Sequence, residues 1–578
     1  MKLNLDFYNK DTKNQICNSK NQDTTSSCLE IYDENLNKFN QNIINWYPFK
    51  SEDEILEIGG NQEQLANVLV KLCKQVVIIE SDFEKANKIA KTHEDKENLE
   101  IIVGKLKNIQ INKKFDYIIL IGITEDVKEI VGENLKLTNI IGLIEKYLKP
   151  EGRILLAADN KFGLRFFSGD PENILNRKFE SLIGYNNEEE KIETFTKSRL
   201  EKKFDVMGYK TKFYYPLPDY RLPNVIFSDK QLPNYTSIDK YNPYHTEKSD
   251  NIFNEIDVFR EILKNDEKMF PFFANSFLVE ATKGDINDEF KYISFNNMRK
   301  NKYQLITKIA DDYVEKQIAN VEAQEHYENI KRNIKILEQN GTKTVDYIEE
   351  KKIKSKYINQ QYLLNNILVK KLEEGNQKEF EYIINKYIEE ISKNSYKETD
   401  YSKTIFFDYG IDIEEKDIIK DLHFLKNGLW DMTFKNCLYI DNELVFFDQE
   451  WNKPRLPSEY ILYRSILYTI ALRRFIKIDK LYEKYNLTKY IEMFKQLDEK
   501  LQEEIRDNTA WEFYNKDKFI NIDNTKKEIE NLNIRIKAQE QAKENIQKEY
   551  AEYKKIQEKK FTKRIKRKIK KIIGGSNE

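Results

Sequence analysis

Three polar side chains with fixed spacing stand in the stretch Gly428–Trp451, which reads GLWDMTFKNCLYIDNELVFFDQEW. Asp431 is followed five residues later by Asn436, and Asp448 comes twelve residues after that. An aspartate can accept the proton of an attacking hydroxyl, and a carboxylate with an amide oxygen can hold Mg²⁺. The pattern therefore predicts a hydroxyl-activating group beside a magnesium site.

Two predicted strands would position these groups. Cys437–Ile440 and Leu444–Phe447 flank Asp441–Asn442, a dipeptide that favours a tight hairpin turn. Such a hairpin would bring Asn436 and Asp448 to the same open end. The alternative is a run of acidic hairpin residues without a chemical role.

The segment before the hairpin has the pattern of a small antiparallel lobe joined to helices. Tyr292–Ile309 (YISFNNMRKNKYQLITKI) is a predicted hairpin, and Tyr313–Gln317 is a third strand that carries Lys316. A Glu-rich helix is predicted from Val321 to about Leu337, and a buried strand at Leu363–Val369.

This order of elements resembles the kinase fold, in which a lysine strand, a helix, a linker and a helical lobe with the catalytic loop follow one another. The resemblance implies that Lys316 binds the α- and β-phosphates of ATP and that Glu328 holds the lysine, with Glu325 as the second choice. It assigns the catalytic roles to Asp431, Asn436 and Asp448, with Asn436 and Asp448 as the Mg²⁺ ligands. The alternative for Lys316 is an exposed strand lysine.

A glycine-rich phosphate loop is missing from this pattern, since Asn296–Arg299 occupies the first turn. Its absence excludes an ordinary protein kinase. In this feature the sequence resembles the small-molecule and lipopolysaccharide kinases. Phe446–Arg464 continues as in that group, with an acidic pair, a proline-containing loop and a helix.

The first half of the chain alternates strands and helices. Ile55–Ile58 is a predicted strand, Gly59–Gly60 a tight turn and Gln64–Leu72 a helix with one apolar face. Val76–Ile79 is the next strand, and Glu80 ends it about 20 residues after the turn, where an acid binds ribose hydroxyls.

Further strands are predicted at Glu100–Val103, Asp116–Ile121, Lys149–Asn160 and Ala274–Ala281. A helix is predicted at Leu137–Leu148. The alternation predicts an α/β fold with a parallel, doubly wound sheet.

The motifs on these elements resemble those of class I S-adenosylmethionine (SAM)-dependent methyltransferases, which have a Rossmann-like fold. Glu57-x-Gly59 matches the first motif, Glu80 the ribose-binding acid and Leu148–Arg153 the turn before the fifth strand. The resemblance assigns SAM binding to Glu57, Gly59, Gly60, Glu80 and Asp116.

The sequence departs from this pattern in two places. Asn61 and Glu63 stand where the second and third glycines of the loop are expected, and Gly104–Lys105 replaces the acid that ends the third strand. Side chains at 61 and 63 would crowd the methionine part of SAM. The alternative to an active methyltransferase is a degenerate domain kept as a scaffold.

The C-terminal residues are predicted to be helical. Apolar residues recur at alternating three- and four-residue spacing, and the polar Gln539 and Lys543 occupy two of these positions. The apolar residues are Ile529, Leu532, Ile536, Ile546, Tyr550 and Tyr553. The spacing predicts a coiled coil of about four heptads and a homo-oligomer. The alternative is one solvated helix.

The end of the chain is basic and amphipathic. Lys559–Lys571 contains nine Lys and Arg residues, while Phe561, Ile565 and Ile569 share one helical face. This pattern predicts a helix that lies on an anionic membrane surface. The alternatives are a solubilising tail or a nucleic-acid contact, although no aromatic platform or basic fold accompanies it.

Composition limits the remaining possibilities. A chain of 578 residues is too long for one core, and its net charge of -2 indicates no nucleic-acid partner. The cysteines lack metal-ligand spacing, which predicts free thiols in a reducing compartment at Cys17, Cys28, Cys73 and Cys437. No signal core or membrane-spanning run occurs, so we expect a cytoplasmic protein unless the tail attaches it to a membrane.

Six segments are predicted along the chain. They are a polar segment at 1–45, a class I methyltransferase-like domain at 46–285, a kinase-like α+β domain at 286–485, a helical connection at 486–523, a coiled coil at 524–558 and a basic tail at 559–578. This order resembles the bifunctional methyltransferase–kinases that terminate bacterial O-antigen chains. Two stretches, Ala158–Glu172 and Tyr214–Asp229, are similar to methyltransferases of bacterial surface-glycan gene clusters and are named here the glycan-cluster segments.

The resemblance implies SAM, ATP and Mg²⁺ as cofactors, with phosphorylation and methylation at the non-reducing end of a growing glycan. It also implies a membrane-associated polymerase or glycosyltransferase as partner, at the inner face of the cell membrane. Two alternatives stay open: a glycan kinase with a scaffold-only methyltransferase domain, and a non-catalytic protein that recruits glycosyltransferases.

Overall fold

The computed structural model describes residues 2–4, 34–59, 63–185, 192–235, 237–241, 243, 251–413, 416–515 and 522–573. The chain divides into two compact units, residues 1–249 with 255–517 and residues 250–254 with 518–578. Both regions with candidate chemistry belong to the first of these, here the larger unit. We call the described residues up to 285 the first region and residues 286–515 the second region.

Strands with helices between them build the first region. The strands are β1 (Lys2–Asn4), β2 (Glu54–Ile58), β3 (Gln75–Glu80), β4 (Leu99–Val103), β5 (Phe115–Ile121), β6 (Leu148–Asp159), β7 (Lys210–Leu217), β8 (Val225–Ser228) and β9 (Ser276–Thr282). The helices are α1 (Glu63–Leu72), α2 (Phe83–Thr92), α3 (Val127–Val131), α4 (Leu137–Ile144), α5 (Leu164–Ser168), α6 (Glu180–Ile183), α7 (Lys197–Asp205), α8 (Glu255–Asn265) and α9 (Phe270–Phe273). Apolar runs such as QVVIIE in β3 are buried along nearly their whole length, as strands covered on both faces require.

The second region begins with antiparallel strands and continues as a helical lobe. Its strands are β10 (Tyr292–Phe295), β11 (Leu305–Ile309), β12 (Tyr313–Ile318), β13 (Asp346–Glu349), β14 (Lys352–Lys356), β15 (Phe424–Leu425), β16 (Gly428–Leu429), β17 (Cys437–Ile440), β18 (Glu443–Phe446), β19 (Asn452–Lys453) and β20 (Leu456–Pro457). Its helices are α10 (Gln324–Gln339), α11 (Leu364–Glu373), α12 (Gln377–Ile391), α13 (Ile405–Asp408), α14 (Ser458–Tyr468), α15 (Ile478–Lys484), α16 (Ile491–Ile505) and α17 (Asn508–Tyr514).

In the described part of the chain, one sheet of 14 strands has the order β1-β4-β3-β2-β5-β6-β9-β7-β8-β10-β11-β12-β14-β13. The strands from β1 to β6 pair in parallel, whereas β9 is antiparallel to both β6 and β7. If β2 is counted as the first strand, the order β4-β3-β2-β5-β6-β7 reads 3-2-1-4-5-6, and β9 lies between the fifth and sixth of these strands. This is the doubly wound order, so the predicted Rossmann-like fold is confirmed.

The two regions share this sheet. Strand β8 of the first region pairs with β10 of the second, with Tyr292 opposite Phe227 and Ser294 opposite Val225. A buried amide, Asn297, reinforces the junction and donates a hydrogen bond to the Pro223 carbonyl oxygen at 3.1 Å. The sheet therefore holds the two candidate sites in one compact body.

The N-terminal segment is more ordered than its polar composition predicts. Lys2–Asn4 adds the parallel edge strand β1 beside β4. Glu34–Ile43 forms a 3-10 helix, and its Leu36 and Phe39 are buried against Leu222 of the first region. The described parts of this segment therefore belong to the larger unit, because their few apolar side chains reach its core.

The predicted buried strand at Leu363–Val369 is wrong, because helix α11 occupies this stretch. Leu364 and Leu368 are buried four residues apart, and Asn365 and Asn366 interrupt the alternation that a strand would need. A short apolar run does not by itself distinguish a buried strand from a helix.

The second compact unit contains one long helix, α18 (Ile522–Ile573). It runs through both the predicted coiled coil and most of the basic tail. All the described side chains from Ile529 to Lys571 are exposed. Within the described residues, no helix is long and apolar enough to span a bilayer.

Candidate functional site

The second region contains a cleft of about 550 Å³ between its antiparallel strands and the β17–β18 hairpin. The volume is typical of small-molecule sites. Val314, Leu438 and Phe447 contribute apolar lining. The charged lining comes from Arg299, Lys316, Lys356, Lys435, Asp448 and Glu450.

Lys316 lies on β12 and is buried in this cleft. Its Nζ donates hydrogen bonds to Asp448 Oδ1 and Glu450 Oε1, which are 132 and 134 residues away along the chain. Burial alone would lower the pKa of this ammonium group, but the two carboxylates raise the pKa above its ordinary value. Lys316 is therefore a permanent cation, and the fold brings it to the predicted metal ligand Asp448.

Glu450 is the most enclosed acid of the cleft. Its Oε1 accepts from Lys316 and its Oε2 accepts from Arg299, while His326 Nε2 lies 3.7 Å from Oε2. Burial raises the pKa of Glu450, yet Arg299 and Lys316 together lower it well below the usual range. The sequence predictions gave this residue no role, although its place two residues after Asp448 was the available signal.

The loop between β16 and β17 holds Asp431 and Asn436. Asn436 Nδ2 donates to the Asp431 carbonyl oxygen at 3.1 Å, and Gln449 Nε2 donates to the same oxygen at 3.1 Å. The Phe447 N–H donates to the Asn436 carbonyl oxygen at 3.0 Å. These bonds place Asn436 and Asp448 at the same open end of the hairpin, whose Asp441 and Asn442 both have positive φ.

The carboxyl of Asp431 has an unusual proton affinity. Burial raises its pKa to about 6, although the Arg464 guanidinium lowers it; the Glu450 and Asp448 carboxylates raise it further. A pKa near 6 leaves the group ionised at neutral pH and makes it a stronger proton acceptor than an ordinary aspartate. Asp431 can therefore serve as a general base.

Asp448 has a strained backbone that a buried neighbour holds. Its φ is +60°, in the left-handed region, and its N–H donates to Asp346 Oδ2 at 2.8 Å. Asp346 opens β13, and Ser355 donates to its other carboxylate oxygen. The sequence predictions missed Asp346, because nothing local to β13 relates it to a hairpin about 100 residues downstream.

The predicted pair of Lys316 and Glu328 is not present. Glu328 instead accepts a hydrogen bond from Lys331 at 2.8 Å. His326, two residues earlier on α10, is the buried residue that faces Glu450. Residues two apart point to different sides of a helix, so the prediction chose the wrong helical phase.

The turn between β10 and β11 is firmly anchored. The Lys300 N–H donates to the Ile505 carbonyl oxygen at 2.8 Å, and the Asp507 N–H donates to the Met298 carbonyl oxygen at 2.9 Å. These bonds fasten the turn to the end of α16. Arg299 is thereby held in the cleft lining by a rigid turn in the place of a glycine-rich loop.

The first region has its own candidate site at the carboxyl ends of β2 and β3. Glu57 and Glu80 are both buried there, and the Oε2 atom of each has no hydrogen-bond partner among the described residues. Burial and the Glu80 charge raise the pKa of Glu57 to about 8, and burial raises the pKa of Glu80 as well. Two such oxygens fit a ligand with hydroxyl or amino donors, such as SAM.

The residue after β2 has the backbone of a tight glycine turn. Gly59 has φ +84°, and a Cβ there would lie 2.9 Å from a side-chain atom of α3. Gly60 and Asn61 lie outside the described residues. Glu63 opens α1, where it accepts a hydrogen bond from Thr92 Oγ1 of α2 at 2.7 Å, so its carboxylate is engaged between the helices.

The predicted SAM-binding role of Asp116 is wrong. Asp116 lies near the amino end of β5, whereas Glu57 and Glu80 lie at the carboxyl ends of their strands. Its Oδ2 accepts from Lys149 Nζ at 2.7 Å and from the Glu54 N–H at 2.9 Å. Ligands of an open parallel sheet bind at its carboxyl edge, so Asp116 ties strands together at the opposite edge.

The two glycan-cluster segments meet in one buried charge network. Arg221 Nη2 donates to Asp159 Oδ2 at 2.9 Å, and Arg165 Nη1 donates to Asp219 Oδ2 at 2.6 Å. Glu125, which follows β5, also accepts from Arg221. The network adjoins a small cavity of about 30 Å³ that is lined by Glu125 and Asp159.

Metal binding by the protein alone is not indicated. No group of three or more His, Cys, Asp or Glu within the described ranges could hold a metal ion. Asn436 and Asp448 nevertheless fit Mg²⁺, which typically binds one or two carboxylates and takes its other ligands from water and phosphates. Cys73 and Cys437 are buried free thiols, and Cys17 and Cys28 lie outside the described residues.

No protein-family model and no curated protein matches this chain. Parts of the chain are similar to solved methyltransferase structures. The N-methyltransferase NodS from Bradyrhizobium japonicum WM9 is 16% identical over 19% of this chain and 61% of NodS, with a TM-score of 0.17. Phosphoethanolamine N-methyltransferase 1 from Haemonchus contortus, in complex with phosphoethanolamine and S-adenosylhomocysteine, is 12% identical over 48% of this chain and 49% of that protein, with a TM-score of 0.28.

A third structure, the plantazolicin methyltransferase BamL, is 12% identical over 48% of this chain and 92% of BamL, with a TM-score of 0.25. The chain spans less than two thirds of NodS and about half of the Haemonchus enzyme. The fold assignment rests on the strand order.

Proposed function

We propose that this protein phosphorylates a hydroxyl at the non-reducing end of a growing bacterial surface glycan and methylates the same end. The observation that carries the proposal is the cleft in which Lys316, Asp448 and Glu450 meet beside the loop of Asp431. Val314, Leu438 and Phe447 give the cleft an apolar wall. To side chains in and beside it we assign a base, a lysine and a pair of magnesium ligands, the groups that phosphoryl transfer needs.

In this proposal Asp431 accepts the proton of the acceptor hydroxyl. The freed oxygen forms a bond to the γ-phosphorus of ATP, and the bond between that phosphorus and the ADP oxygen breaks. Lys316 would hold the α- and β-phosphates, and Asn436 and Asp448 would hold Mg²⁺. Bound Mg²⁺ supplies the positive charge that neutralises the phosphate oxygens.

The methyl-transfer half of the proposal rests on Glu57 and Glu80. Their unpartnered oxygens would accept hydrogen bonds from SAM at the carboxyl edge of the sheet. The network of Arg221, Asp159 and Glu125 adjoins a cavity on this region and would line the acceptor side. A phosphorylated or methylated end lacks the hydroxyl that extension needs, so the two modifications would control chain length.

The C-terminal helix α18 would place both sites at a membrane. Ile529, Leu532 and Ile536 are each at least half exposed, so this apolar stripe has room for a second helix in a homo-oligomer. Lys559–Lys571 would bind anionic lipid at the inner face of the membrane, near the polymerase or glycosyltransferase that makes the glycan.

Deletion of residues 559–578 tests the membrane part of the proposal. Each lysine or arginine near an anionic surface contributes about 1 kcal/mol, so the shortened protein should move from sedimented vesicles of anionic lipid to the supernatant. Full-length protein with neutral vesicles is the matched control. Unchanged sedimentation of the shortened protein would refute the role of the tail.

The experiment that tests the catalytic proposal combines two measurements on the purified full-length protein. ADP release and the mass of the glycan end are measured with ATP, Mg²⁺ and isolated glycan, and SAM affinity is measured by calorimetry. Phosphate transfer without SAM binding would leave a glycan kinase with a scaffold domain, the alternative that Asn61 and Glu63 favour. Neither activity would leave a recruiting protein without catalysis.

A further inference from the structure

We infer that Glu450, from the hairpin end, replaces the helix glutamate that holds the phosphate-binding lysine in kinase folds. Glu450 is then a positioning residue for Lys316, and Arg299 and His326 position Glu450 in turn. The inference rests on the proposed phosphoryl transfer and identifies how this site orients its lysine. It also explains why helix α10 contributes no carboxylate to the cleft.

The two acids that bind Lys316 differ in their surroundings. The Asp448 side chain is 41% exposed, whereas that of Glu450 is 6% exposed. Asp448 thus has a face open to an incoming metal ion, while both Glu450 oxygens are already engaged by cations of the protein. When Mg²⁺ and phosphates enter, Lys316 can turn from Asp448 to the phosphates and keep its bond to Glu450.

Helix α10 cannot supply the anchor in this arrangement. Its His326 lies beside Glu450, and the imidazole ring stacks on Trp451 with centroids 4.4 Å apart and packs against Tyr303 at 5.2 Å. The aromatic contacts fix the imidazole beside Glu450. Glu328, an acid two residues further along the helix, is bonded to Lys331 instead.

The turn before β11 completes the anchor. Arg299 reaches Glu450 from a turn that hydrogen bonds fasten to residues 505 and 507. Arg299 also lies over the Trp451 ring, 5.3 Å from its centroid. At the same end of the hairpin, Asp448 would therefore bind the metal, while Glu450 orients the lysine.

A set of variants tests the inference. Glu450→Gln removes the carboxylate charge that faces Lys316, and Glu338→Gln, at an exposed acid on α10, is the matched control. The double variant Glu450→Gln with His326→Glu returns a carboxylate from the helix side, where a kinase fold carries it. Affinity for MgATP, phosphoryl transfer and the circular dichroism spectrum are measured for each full-length protein.

We expect Glu450→Gln to weaken transfer by about 100-fold, since a misplaced lysine no longer fits the phosphates. Glu338→Gln should stay within about twofold of the wild type, and the double variant should recover at least about tenfold of the loss. A residue with only a structural role would not be rescued from the helix. Glu450→Asp, which keeps the charge, replaces Glu450→Gln if the latter fails to fold, and it should also weaken transfer because its shorter arm withdraws from Lys316.

Each result decides the inference. Wild-type transfer by Glu450→Gln or Glu450→Asp would overturn it, as would loss of transfer in Glu328→Gln, which would return the anchor to the helix. Both outcomes leave the proposed function standing, since the wild-type protein still transfers phosphate. Failure of the wild type to bind MgATP would refute the proposed function and this inference together.

Discussion

Each region of the larger unit buries a glutamate at its candidate site, and the pKa values of the two glutamates are shifted in opposite directions. Burial and the neighbouring Glu80 raise the pKa of Glu57 to about 8. Burial acts on Glu450 in the same sense, but Arg299 and Lys316 lower its pKa well below the usual range. The cations within reach, rather than burial, decide whether a buried acid is neutral or charged.

The two sites therefore differ in the charge of their buried glutamate. A neutral or weakly acidic Glu57 suits the exchange of hydrogen bonds with an uncharged ligand group. A permanently ionised Glu450 suits the fixation of a lysine that must meet phosphates.

Asp448→Ala should abolish phosphoryl transfer, because Mg²⁺ then loses its carboxylate beside the phosphates. Transfer is measured as phosphate on the glycan end from ATP. Glu443→Ala, an exposed acid on the same hairpin, should transfer at the wild-type rate. Undiminished transfer by Asp448→Ala would show that the acidic end of the hairpin does not bind the metal.

Asp431→Asn should slow transfer by about 10²- to 10⁴-fold, the usual contribution of a general base. Because the base must be ionised, the wild-type rate should fall as the pH drops through about 6, the pKa to which burial raises Asp431. Asp346 also has a pKa of about 6, so Asp346→Asn is the control that should keep the inflection. An inflection that persists in Asp431→Asn would assign the base to another group.

Glu80→Gln should weaken SAM affinity by about 10- to 100-fold, the usual cost of a lost hydrogen bond to a charged group. Calorimetric titration of the full-length protein measures it. Asp116→Asn should leave the affinity unchanged, because Asp116 lies at the other edge of the sheet. Equal losses in the two variants would mean that the effect is a general loss of fold.

Glu57→Gln should change the pH dependence of stability of the protein without SAM. The folded-state pKa of Glu57, about 8, lies above its unfolded value, so the folded protein holds this proton more tightly. The stabilisation is complete below the unfolded pKa and is lost as the pH rises through about 8. The melting temperature of Glu57→Gln relative to wild type should therefore be higher at about pH 9 than at about pH 5, and a constant difference would contradict the raised pKa.

Local patterns predicted much of the fold. The Asp441–Asn442 turn, the helix after Gly59 and the strand that carries Lys316 are all present, because turn chemistry and side-chain periodicity act over a few residues. The same reasoning misassigned Leu363–Val369, where periodicity over seven residues did not separate strand from helix. It also misplaced Asp116, because a motif does not say at which end of a strand its acid will lie.

The spacing of Asp431, Asn436 and Asp448 and the doubly wound alternation of the first region follow from the amino-acid sequence alone. Which charges meet depends on the tertiary fold: Glu450 rather than Glu328 binds Lys316, and Asp346 holds the strained backbone of Asp448. It also joined the two regions through β8 and β10. The physical reason is range, since a turn depends on adjacent residues, whereas an ion pair between residues 316 and 450 depends on every element that folds between them.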